Sequence, residues 1–393
     1  MSADPLDLDW SALGHAYGPA TDLPDLLRAL RSPQEQRRAE ASERFGARVL
    51  HQGSLYPAAA AAVPYLVELL ADDGAPDRTL GHELLAAILP EQELDRLSGA
   101  RPHRLGPRLH ELAEQRSDRY LARQHEWLRH GGYRRPEIDP VYRQAYEAVR
   151  AGVPTYLRLL DDADRDARGL SAHLLSFFPE SASQVTPGII ARLAVEPDPV
   201  VGSFLCLTAG MIGDPDDVEL VAAVTRWRDQ PGRINHWTVL MGLVRLTETP
   251  DADMLKQLCD CLFHGPENLA GWTFHHEDPA LAASIALGDL PARSVPGLAA
   301  MLLDRLTAGG EDMSRFVYAV ELLFSLVFPD GPLPDGTSPA DLSAQQYAAA
   351  NAVLHSGLAG HAAVSRLLQE CNLPGDEATL RSWCFTAAEE GVR

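Results

Sequence analysis

The chain has 393 residues, a formal charge of −21 and 46% apolar residues. That length admits either a few ordinary domains or one continuous repeat array, and the apolar share supports a large core. The acidity disfavours a general nucleic-acid or anionic-membrane surface, because phosphate binding depends on clustered cations.

Lys256 is the one lysine among 34 basic residues; the rest are Arg. Residues 1–10 are acidic and lack the basic and apolar regions of a signal peptide. The longest apolar run, 58–67, is broken by Pro64 and followed by Glu68, too short to span a bilayer. Cys206, Cys259, Cys261, Cys371 and Cys384 form an odd, scattered set. Together these features predict reduced, buried thiols in a cytoplasmic protein.

Residues 4–24 read as an irregular lead-in containing His15-Ala16-Tyr17-Gly18-Pro19-Ala20. Helices are predicted over 23–30 and 34–50, joined by the turn Arg31-Ser32-Pro33. The next pair is the clearest. Over 58–70, Val63, Leu66, Val67 and Leu70 fall at i, i+3, i+4 and i+7, one apolar stripe. Asp72-Asp73-Gly74-Ala75-Pro76 then turns the chain into a second helix over 77–89, where Leu80, Leu84, Leu85 and Ile88 share a face. Pro64 removes one backbone hydrogen bond inside the first helix and bends it.

Residues 90–140 interrupt this pattern. It returns as a helix over 141–160, with Pro154 matching Pro64, and a helix over 166–178 opening on Asp166-Ala167-Arg168 as the earlier one opens on Asp77-Arg78. This recurrence marks internal repeats. Further pairs are 187–195 with 199–212, 217–228 with 234–247, 252–263 with 279–288, and 295–306 with 313–328. A Pro- and Gly-rich loop, 330–340, leads to two or three closing helices within 342–390, and nothing reads as a sheet. The predicted organisation is 1–89, an Arg-rich helical insertion at 90–140, 141–328, and a loop with capping helices at 329–393.

A first helix with an internal Pro, an Asp-containing turn and a second helix opening on Asp-Arg resembles a HEAT repeat. The wording HAYG…HQGSLYPAAAAAVPYL across 15–70 resembles the N-terminal part of a group of bacterial HEAT-repeat proteins, known mostly as interaction modules. At motif level the resemblance covers about a fifth of the chain. It implies an all-α fold, a right-handed α-solenoid of about eight helix pairs with capping ends.

Four features are candidates for chemistry. Residues 101–135 hold nine Arg against four acids, and a helix there aligns Arg116, Tyr120, Arg123 and Trp127 in one cation–aromatic stripe. Arg, Tyr and Trp are the residues of interface hot spots; the plainer reading packs the aromatics on neighbouring helices. In a HEAT-type array the second helices line a concave wall, which would gather His82, His173, His236, Trp237, Trp272, His275, His276, Arg315 and Tyr318. Taken singly, each His reads as a hydrogen-bonded, partly buried side chain. Trp272-Thr273-Phe274-His275-His276-Glu277-Asp278 places imidazoles beside carboxylates, suited to metal or acid–base work. The spacing of Cys259 and Cys261 sends them to different sides of a helix, which speaks against zinc. Asp161-Asp162-Ala163-Asp164-Arg165-Asp166 resembles a calcium loop, but Ala167 and His173 stand where Gly and Glu are needed. It reads better as a turn with helix-capping acids.

No phosphate loop, dinucleotide fingerprint, nucleophile elbow or His-Glu-x-x-His is present. The leading expectation is a non-enzymatic scaffold without cofactor or metal that captures another protein, one of basic character, to neutralise or regulate it. The alternative is an enzyme closing around a small molecule, with His275, His276, Glu277, Asp278 and His236 as acid–base groups. A HEAT-like DNA glycosylase is the weaker alternative, since the charge outside 101–135 has the wrong sign for DNA.

Overall fold

The computed structural model describes residues 5–51, 54–89, 140–228, 236–247, 250–265, 278–288, 290, 297–308, 313–329 and 331–390. Apart from two short strand pairs, the regular structure of those residues is helical. Contacts divide them into two units, 5–228 and 236–390. None of the described helices is long and apolar enough to cross a membrane.

In the first unit the helices are α1 (Leu23–Ala29), α2 (Glu35–Val49), α3 (Ala58–Ala71), α4 (Thr79–Ile88), α5 (Pro140–Arg150), α6 (Val153–Leu159), α7 (Arg165–Leu175), α8 (Ala182–Leu193), α9 (Pro199–Ile212) and α10 (Val218–Arg228). Of the predicted stripe of α3, Val63, Leu66 and Leu70 are buried and Val67 is half-buried, while Tyr65 and Leu69 are buried as well. Pro64 is accommodated within that helix. Each pair packs internally, α1 on α2, α3 on α4, α6 on α7 and α8 on α9. Second helices touch in sequence, α2 on α4, α4 on α7 and α7 on α9. First helices do the same, α3 on α6, α6 on α8 and α8 on α10. α9 begins on Pro199, and the Asp198 carboxylate accepts from the backbone N–H of Val200 (2.8 Å) and Val201 (3.2 Å), so its start is fixed twice over.

The helix expected over 141–160 is two helices. Gly152 and Pro154 break it, because Pro154 lacks the N–H that would continue the ladder and sits instead in the first turn of α6. Tyr156 closes the break by donating from its hydroxyl to the Val149 carbonyl at 3.1 Å. The irregular lead-in is also more ordered than expected. Gly14–His15 pairs antiparallel with Gly18–Pro19 there, and Leu50–His51 pairs with Ser54–Leu55 between α2 and α3, two short ladders where the sequence led to no expectation of strands.

In the second unit the helices are α11 (His236–Arg245), α12 (Ala252–His264), α13 (Pro279–Gly288), α14 (Leu298–Ala308), α15 (Met313–Val327), α16 (Ala344–His355), α17 (Ala362–Glu370) and α18 (Glu377–Glu390). α12 packs on both α11 and α13, α14 on α15, and α16 on α18. Alternate helices also touch, α11 on α13, α13 on α15 and α15 on α17, with α12 on α14 and α14 on α16. Leu255, Leu258, Cys259 and Leu262 of α12 are buried as their spacing predicts. All five cysteines are buried thiols outside any disulfide.

Candidate functional site: an acidic edge of turns

The turns between α3 and α4 and between α6 and α7 are rich in Asp, the turn between α8 and α9 carries Glu196 and Asp198, and ion pairs link successive turns of the first unit. Arg31, in the turn between α1 and α2, pairs with Asp72 in the turn between α3 and α4. Arg78 opens α4, and its guanidinium reaches the following turn. Its Nη1 and Nη2 donate to Asp162 Oδ1 and Oδ2 at 3.2 and 2.8 Å, while Nε donates to the Leu70 carbonyl at 2.7 Å. Asp164 caps α7 by accepting from the Asp166 amide at 3.0 Å.

Arg168 repeats the role of Arg78 one pair later. Nε and Nη2 donate to Glu196 Oε2 and Oε1, both at 2.9 Å, and Nη1 donates to the carbonyls of Asp162 and Ala163. Arg192 Nε donates to the same Glu196 at 2.8 Å, and the Asp198 amide donates to it at 2.9 Å. The Arg168 and Glu196 side chains are buried, so the pair is a two-point charge-assisted contact away from water. Burial by itself would raise the Glu196 carboxyl; the Arg168 guanidinium, the Asp198 amide and Arg192 outweigh it and hold it below the usual carboxylate range. Arg78 likewise holds Asp162 low.

The Arg78 and Arg168 guanidinium groups are largely buried along this edge, while Asp73, Asp161 and Asp166 stay mostly in solvent, each with an arginine at 3.4–3.7 Å. The side chains of Asp73, Asp161 and Asp166 are 88%, 82% and 64% exposed. The Asp-Arg openings noted in the sequence carry this arrangement, but their partners lie up to 84 residues away and were not assigned from the sequence.

A second tied corner lies at the start of the chain. His15 Nδ1 accepts from the Tyr17 amide at 3.0 Å, so its Nε2 carries the proton toward Asp22 Oδ1 at 2.9 Å. Arg48 Nε donates to the other Asp22 oxygen at 2.5 Å. Tyr17 is exposed over this frame, edge-on to His51 with Arg48 across its face. A cleft of about 480 Å³ lies beside it, lined by Tyr17, Glu40, Glu43, Arg44, Ala47 and Arg48.

The residues proposed for an inner wall fare differently. His82 and His173, expected on a polar wall, are both core residues, 3% exposed and bonded ring to ring. Their helices pack on each other with these rings at the contact, which turns them away from solvent. In the second unit His236 is half-buried and meets Gln257 Oε1 at 2.5 Å, with Trp237 half-buried beside it. Asp278 Oδ1 caps α13 through the amides of Ala280 and Leu281, and its Oδ2 accepts from the Tyr318 hydroxyl at 3.0 Å. Arg315 is buried. It and Asp278 both lie within electrostatic reach of the Cys261 thiol, which burial pushes up to about 12. Asp278, Tyr318 and Arg315 therefore share one neighbourhood. Asp278 serves there as a cap and an acceptor. Arg116, Tyr120, Arg123, Trp127, Trp272, His275, His276 and Glu277 lie outside the described residues. Among the described residues no group of three or more His, Cys, Asp or Glu side chains is placed to hold a metal.

No protein-family model and no curated protein matches the chain. Among solved structures, an engineered protein aligns over 94% of this chain and 98% of its own, at 15% identity and a TM-score of 0.30. A score that low carries nothing about fold or function.

Proposed function

We propose that the chain is a non-enzymatic scaffold of the HEAT-repeat kind, a right-handed α-solenoid working in the cytoplasm and binding a protein of basic character. The two rows of helix contacts within each unit support the solenoid reading, because in such arrays first helices stack on first and second on second. The resemblance of residues 15–70 to bacterial HEAT-repeat proteins points the same way.

The acidic edge carries the binding reading. Acids outnumber arginines along it, the exposed Asp73, Asp161 and Asp166 share their arginines with other carboxylates, and the chain's net charge is −21, so the outward field is negative. Such a field speeds encounter with a cationic partner and makes the association rate fall as salt rises. The rigid mounting of the turns lowers the entropy lost when a partner docks.

The test is retention of proteins on the immobilised full chain at about 50 mM and about 300 mM salt, where screening differs strongly. The same is done with Asp73→Asn, Asp161→Asn and Asp166→Asn combined. A basic protein held at low salt, weakened at high salt and lost from the triple variant is the expected result. Retention indifferent to both salt and substitution, or no protein retained at either salt, overturns the reading.

A further inference from the structure

The corner at the start of the chain holds an aromatic ring out in water. Tyr17 is 64% exposed, and among the described residues no other Phe, Tyr or Trp side chain is exposed. Its mounting is nonetheless firm. Tyr17 sits in the turn between Gly14–His15 and Gly18–Pro19, which reverses through Gly18 at φ 128°, a conformation that side chains rarely adopt. The Ala16 amide donates to the Arg48 carbonyl at 2.9 Å and so ties that turn to the end of α2. His15 holds the Tyr17 amide, and the Tyr17 hydroxyl stands 3.4 Å from His51 Nδ1 on the second strand pair. A ring left in water forgoes the burial free energy it would gain in a core. Tyr fixed at a surface in this way is a residue in which protein interfaces are enriched.

The cleft beside the ring, about 480 Å³, falls within the roughly 300–1,000 Å³ of sites that take small groups. Every side chain lining it except Arg48 is exposed, so it is open. An open cleft suits a side chain presented by a partner better than a free molecule, which such sites enclose. Arg48 is committed to Asp22 and, through Nη1 at 3.0 Å, to the Arg44 carbonyl. Of the other lining charges, Glu40 and Glu43 outnumber Arg44, and they lie three residues apart on α2, where side chains are neighbours. An anion would meet both carboxylates. A cation meets those carboxylates and the negative face of the ring. A guanidinium fits better than an ammonium, because its plane stacks on an aromatic ring, its fork matches a carboxylate, and it is less strongly hydrated.

We infer that this cleft receives an arginine side chain of a protein partner, stacked on Tyr17 and donating to Glu40 or Glu43, with its stem along Ala47. None of the residues lining it belongs to the acidic edge, so the inference stands apart from the role given to Asp73, Asp161 and Asp166.

Nuclear magnetic resonance titration of the isotope-labelled full chain with the capped tripeptide Ala-Arg-Ala, at about 50 mM salt, tests it. Saturable shifts are expected at the amides of residues 16–18 and 43–48. Tyr17→Leu is expected to weaken binding about two- to fivefold, and Glu40→Gln combined with Glu43→Gln at least about twofold. Both variants exchange exposed side chains, so the fold that carries the readout is kept. The tripeptide with lysine should bind more weakly, and the one with citrulline, which keeps the shape and loses the charge, should leave these amides unmoved. The triple Asp variant of the acidic edge should bind the arginine tripeptide as the natural chain does, which separates the two sites. Absence of saturable shifts at 16–18 and 43–48 overturns the inference. So does citrulline or lysine binding equal to that of arginine, or an unchanged affinity in either variant.

Discussion

Both units use helix pairs in alternating contact, yet they join those pairs with different chemistry. In the first unit the joints pass through buried polar groups, the Arg168–Glu196 fork and the His82–His173 bond. In the second unit a prominent joint is aromatic, with Phe263 of α12 edge-on to Phe316 of α15 at 5.5 Å, and next to it a thiol facing the Pro279 carbonyl. An apolar joint tolerates small slips, because dispersion contacts have no required direction. A buried ion pair tolerates none: either every lone pair and N–H is met or the desolvation cost stands unopposed. The first unit should therefore be the more sensitive of the two to single substitutions at its joints, and to acid.

The largest expected effect follows from that contrast. Glu196→Ala strands the buried Arg168 guanidinium, the Asp198 amide and Arg192, and should cost about 3–5 kcal/mol in denaturant unfolding of the first unit. A companion variant, Arg168→Leu with Glu196→Leu, should recover much of that loss, since it leaves no uncompensated charge. If the double variant is as unstable as the single one, the fork is not what joins α7 to the following turn.

Acid sharpens the same point. The folded pKa values of Asp162 and Glu196 are held below their ordinary ones, so their contribution is full above the ordinary carboxylate range and is lost as pH falls through the depressed values. Asp162→Asn should flatten the acid limb of the first unit's stability curve below about pH 4 and leave the region near pH 5 unchanged. A flattening centred near pH 5 would assign the wrong group.

Packing effects come next. The Trp227 ring lies directly on Gly202 of α9 while its Nε1 donates to the Leu193 carbonyl at 2.9 Å. Gly202→Ala forces that ring aside, and overpacking of this kind costs about 1–3 kcal/mol. Near-ultraviolet circular dichroism should report the displaced indole; an unchanged spectrum and unchanged stability would show that the ring yields freely. In the second unit Phe263→Leu conserves most of the volume and should cost less than about 1.5 kcal/mol. A larger loss would mean that the aromatic joint is as exacting as the ionic one.

The extent to which sequence alone reveals this molecule follows the same division between apolar and polar. α9 and α13 coincide residue for residue with the helices predicted over 199–212 and 279–288, because Asp followed by Pro marks the start and an apolar run marks the body. The stripe of α3 is legible for the same reason. The break between α5 and α6 is not, since Pro154 matches Pro64 in sequence while one sits in a first turn and the other inside a helix. His82 and His173 look like wall residues until α4 and α7 are docked, because residue type says nothing of which face a short helix buries. Likewise Asp77-Arg78 and Asp166-Ala167-Arg168 are visible as a recurrence. That their arginines leave their own pair to grip the next turn is a property of the stacking, absent from local sequence.

The smallest expected effect tests whether any cross-helix ion pair matters or only buried ones. Arg305 of α14 reaches Asp260 of α12, and its Nη1 donates to His264 Nε2 at 2.9 Å. The Arg305 and Asp260 side chains are 33% and 36% exposed, so water already solvates both partners. Their attraction is weakened by the high local dielectric and offset by the entropy of holding two mobile side chains. Arg305→Ala should then cost no more than about 1 kcal/mol, and the difference should vanish at about 1 M salt. Set beside Glu196→Ala, this substitution removes a contact of the same kind between helices packed in the same alternating way. A loss comparable to that of Glu196→Ala would put the weight on the charge pair itself. A small, salt-sensitive loss puts it on burial, which is the property that separates the joints of the first unit from this one.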